Sequence, residues 1–246
     1  MDRLLSATAR AEDHHFWFVG MRRFARLMLD RVIPARRPLR IIDCGAGTGR
    51  NLDWLRDYGW VMGLELSPTG LAIARRHGRP RLVRGTVAAL PVPDGAFDLA
   101  TSFDVIYSLD DETERRALAE MHRVLRPGGI ALVNAAALDI LTGSHATLAQ
   151  ERRRYTTTRL RAKLDAAGFD VLSLSYTMMT TLPLTLAVRL AQRASGHGGE
   201  AAETEMAVPA APVNGLLKGM LWMEAALLRI TALPVGSSVL CVARRR

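Results

Sequence analysis

Short apolar runs alternate with segments of helical period from residue 39 onward. Leu39–Cys44, Val61–Glu65, Arg81–Arg84, Phe97–Ser102, Ile130–Ala136 and Asp170–Tyr176 read as strands, and Ser238–Ala243 as a last one. Between them the pattern predicts helices at Arg50–Tyr58, Pro68–His77, Glu112–Leu125 and Thr157–Ala167. Pro68 at a first turn and Gly78 and Gly168 just past helix ends mark their boundaries. Apolar strands interleaved with helices imply a parallel sheet covered on both faces. The expected fold is therefore α/β, a doubly wound, seven-stranded, mostly parallel sheet.

Two stretches stand outside that alternation. Residues 16–33 repeat Met21, Phe24, Met28 and Val32 at helical spacing and predict an N-terminal helix. Residues 178–236 are too long for a simple hairpin loop, with helices expected at Leu184–Ala194 and Leu216–Leu233 around a linker at Ser195–Ala211. The expected organisation is an N-terminal helical cap (1–38), an α/β core (39–177), a helical insertion or lid (178–236) and the final strand of the core (237–246). Lys218, Glu224 and Arg229 interrupt the more apolar insertion helix, and a membrane span needs ~20 mostly apolar residues, so no span is expected. An in-plane contact with a membrane surface stays open.

Composition narrows the classes. At 246 residues, 49% hydrophobic and 23% charged, the chain can bury a sizeable core and is neither disordered nor fibrous. Two distant cysteines, Cys44 and Cys241, offer neither a disulfide scaffold nor metal-ligand spacing, so no metal site is expected. The net charge of +9 comes almost wholly from arginine and is not interleaved with aromatics as a stacking platform would be, so a nucleic-acid partner is not expected. The N-terminal stretch MDRLLSATARAEDHHFW has no apolar h-region of a signal peptide, and a cytoplasmic protein, membrane-peripheral at most, is the expectation.

The chemistry concentrates at Asp43-Cys44-Gly45-Ala46-Gly47-Thr48-Gly49, between an apolar strand and a helix. Glycines there let the chain turn sharply and a ligand approach the main chain. Glu65 ends the next strand, where a ribose diol would be gripped. Arg50 occupies the place of the third glycine of the dinucleotide pattern, which argues against a nicotinamide oxidoreductase. Together with Leu90-Pro91-Val92-Pro93-Asp94-Gly95-x-Phe97-Asp98 and Arg123-Val124-Leu125-Arg126-Pro127-Gly128-Gly129, this order of motifs resembles the class I S-adenosylmethionine-dependent methyltransferases, of the type-11 group.

The resemblance implies S-adenosylmethionine as cofactor. Asp43 would orient the loop and reach the methionine amine, while Gly45, Gly47 and Gly49 would line methionine and ribose. Glu65 would accept from the ribose hydroxyls, with Leu66 against the adenine. Thr86 replaces the family's frequent acidic residue at the adenine amine, beside Val87, and Ser102 and Phe103 would present carbonyls to the methionine part. Candidate side chains for handling a proton are His145, Tyr107 and Tyr155, with His14 and His15 beside Phe16-Trp17-Phe18. The arginines at 152–154 could hold an acidic group of the substrate. The expected activity is in-line methyl transfer to a small-molecule or lipid-like acceptor. The alternative is a non-catalytic module of the same fold that docks a partner or membrane through residues 178–236.

Overall fold

Leu39–Cys44 forms β1, whose Ile41 and Ile42 point to opposite faces and are both fully buried. Such a strand must lie inside a sheet layered by helices. It is flanked by β2 (Gly59–Glu65) and by β4 (Phe97–Phe103), both parallel to it. With β3 (Leu82–Arg84), β5 (Leu125–Ala136), β6 (Phe169–Thr177) and β7 (Ser238–Arg245), seven strands run in the order β3-β2-β1-β4-β5-β7-β6. β7 is antiparallel to both of its neighbours. The sheet is the expected doubly wound, mostly parallel one. The computed structural model describes residues 2–33, 38–142, 150–195 and 206–246.

The helices are α1 (Asp2–Ala11), α2 (Phe16–Asp30), α3 (Arg50–Leu55), α4 (Pro68–Arg76), α5 (Asp111–Val124), α6 (Thr157–Ala166), α7 (Leu182–Ser195) and α8 (Ala211–Leu228). Several differ from expectation. α1 has no counterpart in the sequence reading. The helix expected at Arg50–Tyr58 stops as α3 and finishes as a 3-10 turn over Arg56–Tyr58. β5 starts at Leu125 rather than Ile130, because Pro127-Gly128-Gly129 passes through a register shift against β4 and stays in the strand. α8 starts earlier than Leu216 because Pro212 fits its first turn. Most of the linker expected at Ser195–Ala211 lies outside the described residues.

α8 ties the N-terminal segment to the chain after β6. Its inner face buries Asn214, Leu217, Leu221, Glu224, Ala225 and Leu228. Asn214 accepts from the Phe16 backbone N–H and donates to the His14 carbonyl, each at 2.9 Å, clamping the turn between α1 and α2. One helical face further along, Glu224 accepts from the backbone N–H groups of Met179 and Thr180 at 3.0 and 2.8 Å. Gly20 of α2 lets α8 come close, since a Cβ there would run into Leu221.

Candidate functional site

The carboxyl ends of β1, β2 and β4 meet where the sheet order reverses, the place where open α/β sheets bind ligands. A cavity of about 1170 Å³ lies there. Its floor is the 45–48 loop, residues 65–68, residues 84–87 and the chain after β4. Its roof is built from α1, α2, α7, residues 206–209 and α8. The first segments and the insertion therefore converge on one void.

Glu65 organises the floor. Its Oε2 accepts from the Gly47 N–H and its Oε1 from the Ser67 N–H, both at 2.7 Å. Ser67 in turn caps α4 by accepting from Thr69 N–H at 3.1 Å. Gly47 has φ 56°, and a Cβ on it would meet nothing nearer than Leu5 at 3.4 Å, so its main chain is open to the cavity. Leu66, 61% exposed, offers an apolar wall beside this carboxylate. Behind the loop, Asp43 Oδ1 accepts from Thr101 Oγ1 at 2.6 Å, while its buried Oδ2 has no partner. Burial chiefly raises the Asp43 carboxyl to about 7; the Thr101 bond opposes this and Glu65 adds to it.

Of the residues singled out in the sequence, Gly45, Gly47, Glu65, Leu66, Thr86, Val87, Phe103 and Tyr107 line the cavity. Asp43, Gly49 and Ser102 are not on its lining. Gly49 instead begins α3 at φ 75°, and a Cβ on it would press on Leu82 and Arg79, so its role is packing. Tyr155 needs correction as a proton-handling candidate. It is fully buried away from the lining and donates its hydroxyl to Glu114 at 2.6 Å. Glu114 also takes Arg153 and Lys163, at 2.7 and 2.8 Å, making one buried strut. Two of the three arginines proposed for an acidic substrate are likewise committed, Arg153 to Glu114 and Asp111 and Arg154 to Glu151 at 2.8 Å, while Arg152 is exposed. His15 caps α2 through Nδ1, accepting from Trp17 N–H at 3.2 Å. Burial, helped by Lys218, pushes its pKa down to about 4. His145 lies outside the described residues.

Glu151, a candidate in the sequence beside His145 and Tyr155, does line the cavity. Sequence reasoning missed Glu12, Arg22 and Asp104, all on the same lining. None belongs to a spaced motif, and no local signal marks them. Among the described residues there is no cluster of side chains fit to hold a metal ion.

Residues 42–133 match a family model described as a methyltransferase domain. The chain is also 29% identical over 177 residues to a probable S-adenosylmethionine-dependent methyltransferase of Mycolicibacterium smegmatis, covering 68% of this chain and 63% of the relative. Residues 42–133 thus carry a methyltransferase domain, and the chain is similar to S-adenosylmethionine-dependent methyltransferases. A demethylmenaquinone methyltransferase of Renibacterium salmoninarum is 35% identical over 57% of this chain and 56% of its own. The chain thus spans about half to two thirds of the length of the curated relatives it matches. Among solved structures, a 1,6-didemethyltoxoflavin-N1-methyltransferase of Burkholderia thailandensis, with S-adenosylhomocysteine bound, shares the methyltransferase fold at TM-score 0.55 and 20% identity, over 92% of this chain and 78% of its own.

Proposed function

We propose that this chain transfers the methyl group of S-adenosylmethionine to an apolar small molecule held under α7 and α8. The residues present fit the cofactor. The Asp43 Oδ2 atom lacks a partner in a buried position where a cation or donor would be welcome. Gly47 leaves its main chain bare toward the cavity. Glu65 would accept from the ribose hydroxyls while its loop contacts hold it in place. Leu66 and Val87 would flank the adenine, Thr86 would meet its polar edge, and the Phe103 main chain would border the methionine part.

A sulfonium methyl is itself the electrophile, so the protein's work is positioning and the exclusion of water. The observation that carries the acceptor class is the apolar roof: Leu184, Val188, Val208, Val213 and Leu217 all line the cavity. These five side chains form an apolar patch on a lining that also carries Glu12, Arg22 and Arg189, which suits a largely apolar acceptor with a polar group.

Calorimetric titration with S-adenosylmethionine and S-adenosylhomocysteine tests the reading. Micromolar binding that Glu65→Ala weakens by ~1–3 kcal/mol is expected. Absence of binding to both ligands would overturn it.

A second reading concerns membrane contact. Leu216, Met223, Leu227 and Ile230 share the outer face of α8 and the turn after it, and Ile230 is 84% exposed. A helix with one apolar face open can rest in a lipid interface. No helix among the described residues is long and apolar enough to cross a membrane. Sedimentation with phosphatidylglycerol vesicles, lost in Leu216→Asp/Met223→Asp, is the expected support; equal sedimentation of both proteins would remove this reading.

A further inference from the structure

Asp104 follows β4 in the left-handed region, at φ 59°. That backbone conformation is unfavourable for a residue with a Cβ, and the surroundings must hold it in place. Asn134 of β5 does so twice. Its carbonyl accepts the Asp104 N–H at 3.0 Å, and its Nδ2 donates to Asp104 Oδ1 at 3.0 Å. The strained residue lines the cavity, next to Tyr107 of the following turn and near Glu151 and Arg154 of the chain after β5. A carboxylate has about four acceptor positions, and the Asn134 bond uses one.

The other titratable groups at the cavity have different tasks. Glu65 holds two loop N–H groups with its two oxygens. Glu12 is bound to Thr48 and Arg79. His15 spends Nδ1 on its helix cap. Burial drives the Tyr107 hydroxyl well above its ordinary pKa, so it can donate but not act as a base. Asp104 differs: burial above all, then Glu151, lift its carboxyl to about 7, against opposing pulls from the Asn134 bond and Arg154. Proton acceptors work best when their affinity lies near the operating pH.

We infer that Asp104 takes the acceptor's proton, and that the acceptor is an apolar molecule bearing a phenolic or enolic hydroxyl. This rests on the methyl-transfer reading above. A carboxylic acid would arrive already ionised and need no base, whereas a phenol or enol arrives protonated. In the step, the acceptor O–H bond breaks and its proton goes to the Asp104 carboxylate. The electron pair left on oxygen forms the new bond to the sulfonium methyl carbon. The carbon–sulfur bond breaks with its pair going to sulfur, giving S-adenosylhomocysteine and the methyl ether.

Asp104→Asn is the decisive variant. It keeps an oxygen for Asn134 and a side chain that tolerates the left-handed region, but it cannot accept the proton. Carboxyl carbon resonances of protein labelled at aspartate report the titration without turnover. One signal with a midpoint near neutrality should vanish in Asp104→Asn. With p-octylphenol, β-naphthol and acetylacetone as acceptors, wild-type formation of S-adenosylhomocysteine should rise through neutral pH. Asp104→Asn should fall by roughly a hundredfold or more and lose that pH step. A midpoint in the ordinary aspartate range overturns the inference, as does a variant with the wild-type rate profile. Failure of wild-type protein to methylate any of the three overturns the acceptor class. If wild-type protein does not bind S-adenosylmethionine by calorimetry, the methyl-transfer reading itself fails. Equal binding by both proteins with an unchanged profile defeats only the role of Asp104.

Discussion

Thr48 donates its hydroxyl to Glu12 Oε2 at 2.6 Å, joining the end of the N-terminal helix to the glycine loop beneath it. Glu12 and Arg79 are both buried and lie 3.4 Å apart, and Arg79 also donates to the Thr48 carbonyl at 3.0 Å. The roof and the floor of the cavity thus share one buried charged cluster.

Removing one member of such a cluster leaves the others buried and incompletely paired. Glu12→Ala is expected to lower stability by about 3 kcal/mol and to weaken S-adenosylmethionine binding, because α1 loses its hold on the loop. Chemical denaturation and calorimetry on the same variant measure both. A variant as stable as wild type would show that Arg79 is satisfied by Asp53 and the Thr48 carbonyl alone.

Tyr155→Phe separates a strut from a catalyst. The hydroxyl supports Glu114 in a site closed to solvent, so its loss should cost about 1–2 kcal/mol of stability. Methyl transfer per folded molecule should stay at the wild-type rate. A large fall in kcat with stability intact would return Tyr155 to the chemistry.

His15 sets an acid limb of stability. Its folded pKa of about 4 lies below the ordinary 6.5, so the folded chain binds fewer protons there than the unfolded one in that window. The contribution is complete above pH 6.5 and is lost as pH falls toward 4. Asp43 and Asp104, raised from 3.8 to about 7, act with the opposite sign and favour the folded state more as pH falls. His15→Asn keeps a cap acceptor without the titration, so its Tm should fall less than that of wild type between neutral and mildly acid pH. Parallel Tm profiles for the two proteins would refute this.

Val188 tests the apolar roof. It lines the cavity from α7 and is 40% exposed, so a larger polar side chain fits without disturbing the core. Val188→Glu should raise KM for an apolar acceptor at least tenfold while S-adenosylmethionine affinity holds, since a buried charge facing an apolar ligand is costly. Equal losses for both ligands would place the residue with the cofactor instead.

The sheet, the glycine loop and Glu65 were readable because each depends on short stretches of chain: alternating apolar runs, a turn that only glycine makes easily, an acid at a strand end. Boundaries were less readable where neighbours overrode local signals. Pro127-Gly128-Gly129 looks like a stop, yet pairing with β4 carries it inside β5. α1 was invisible because Asp2–Ala11 mixes two leucines with small and polar residues, and its burial arises only by packing over the cavity.

The order of apolar and polar residues along this chain dictated an α/β sheet with a glycine-rich loop at its switch point, since both follow from short-range geometry and side-chain periodicity. Which polar groups face the cavity was settled by contacts between distant residues. Tyr155 turned inward to Glu114, 41 positions away, and Asp104 was held at the void by Asn134, 30 positions away. Burial and charge at a point in space depend on every segment that arrives there, and no single stretch of sequence contains that sum.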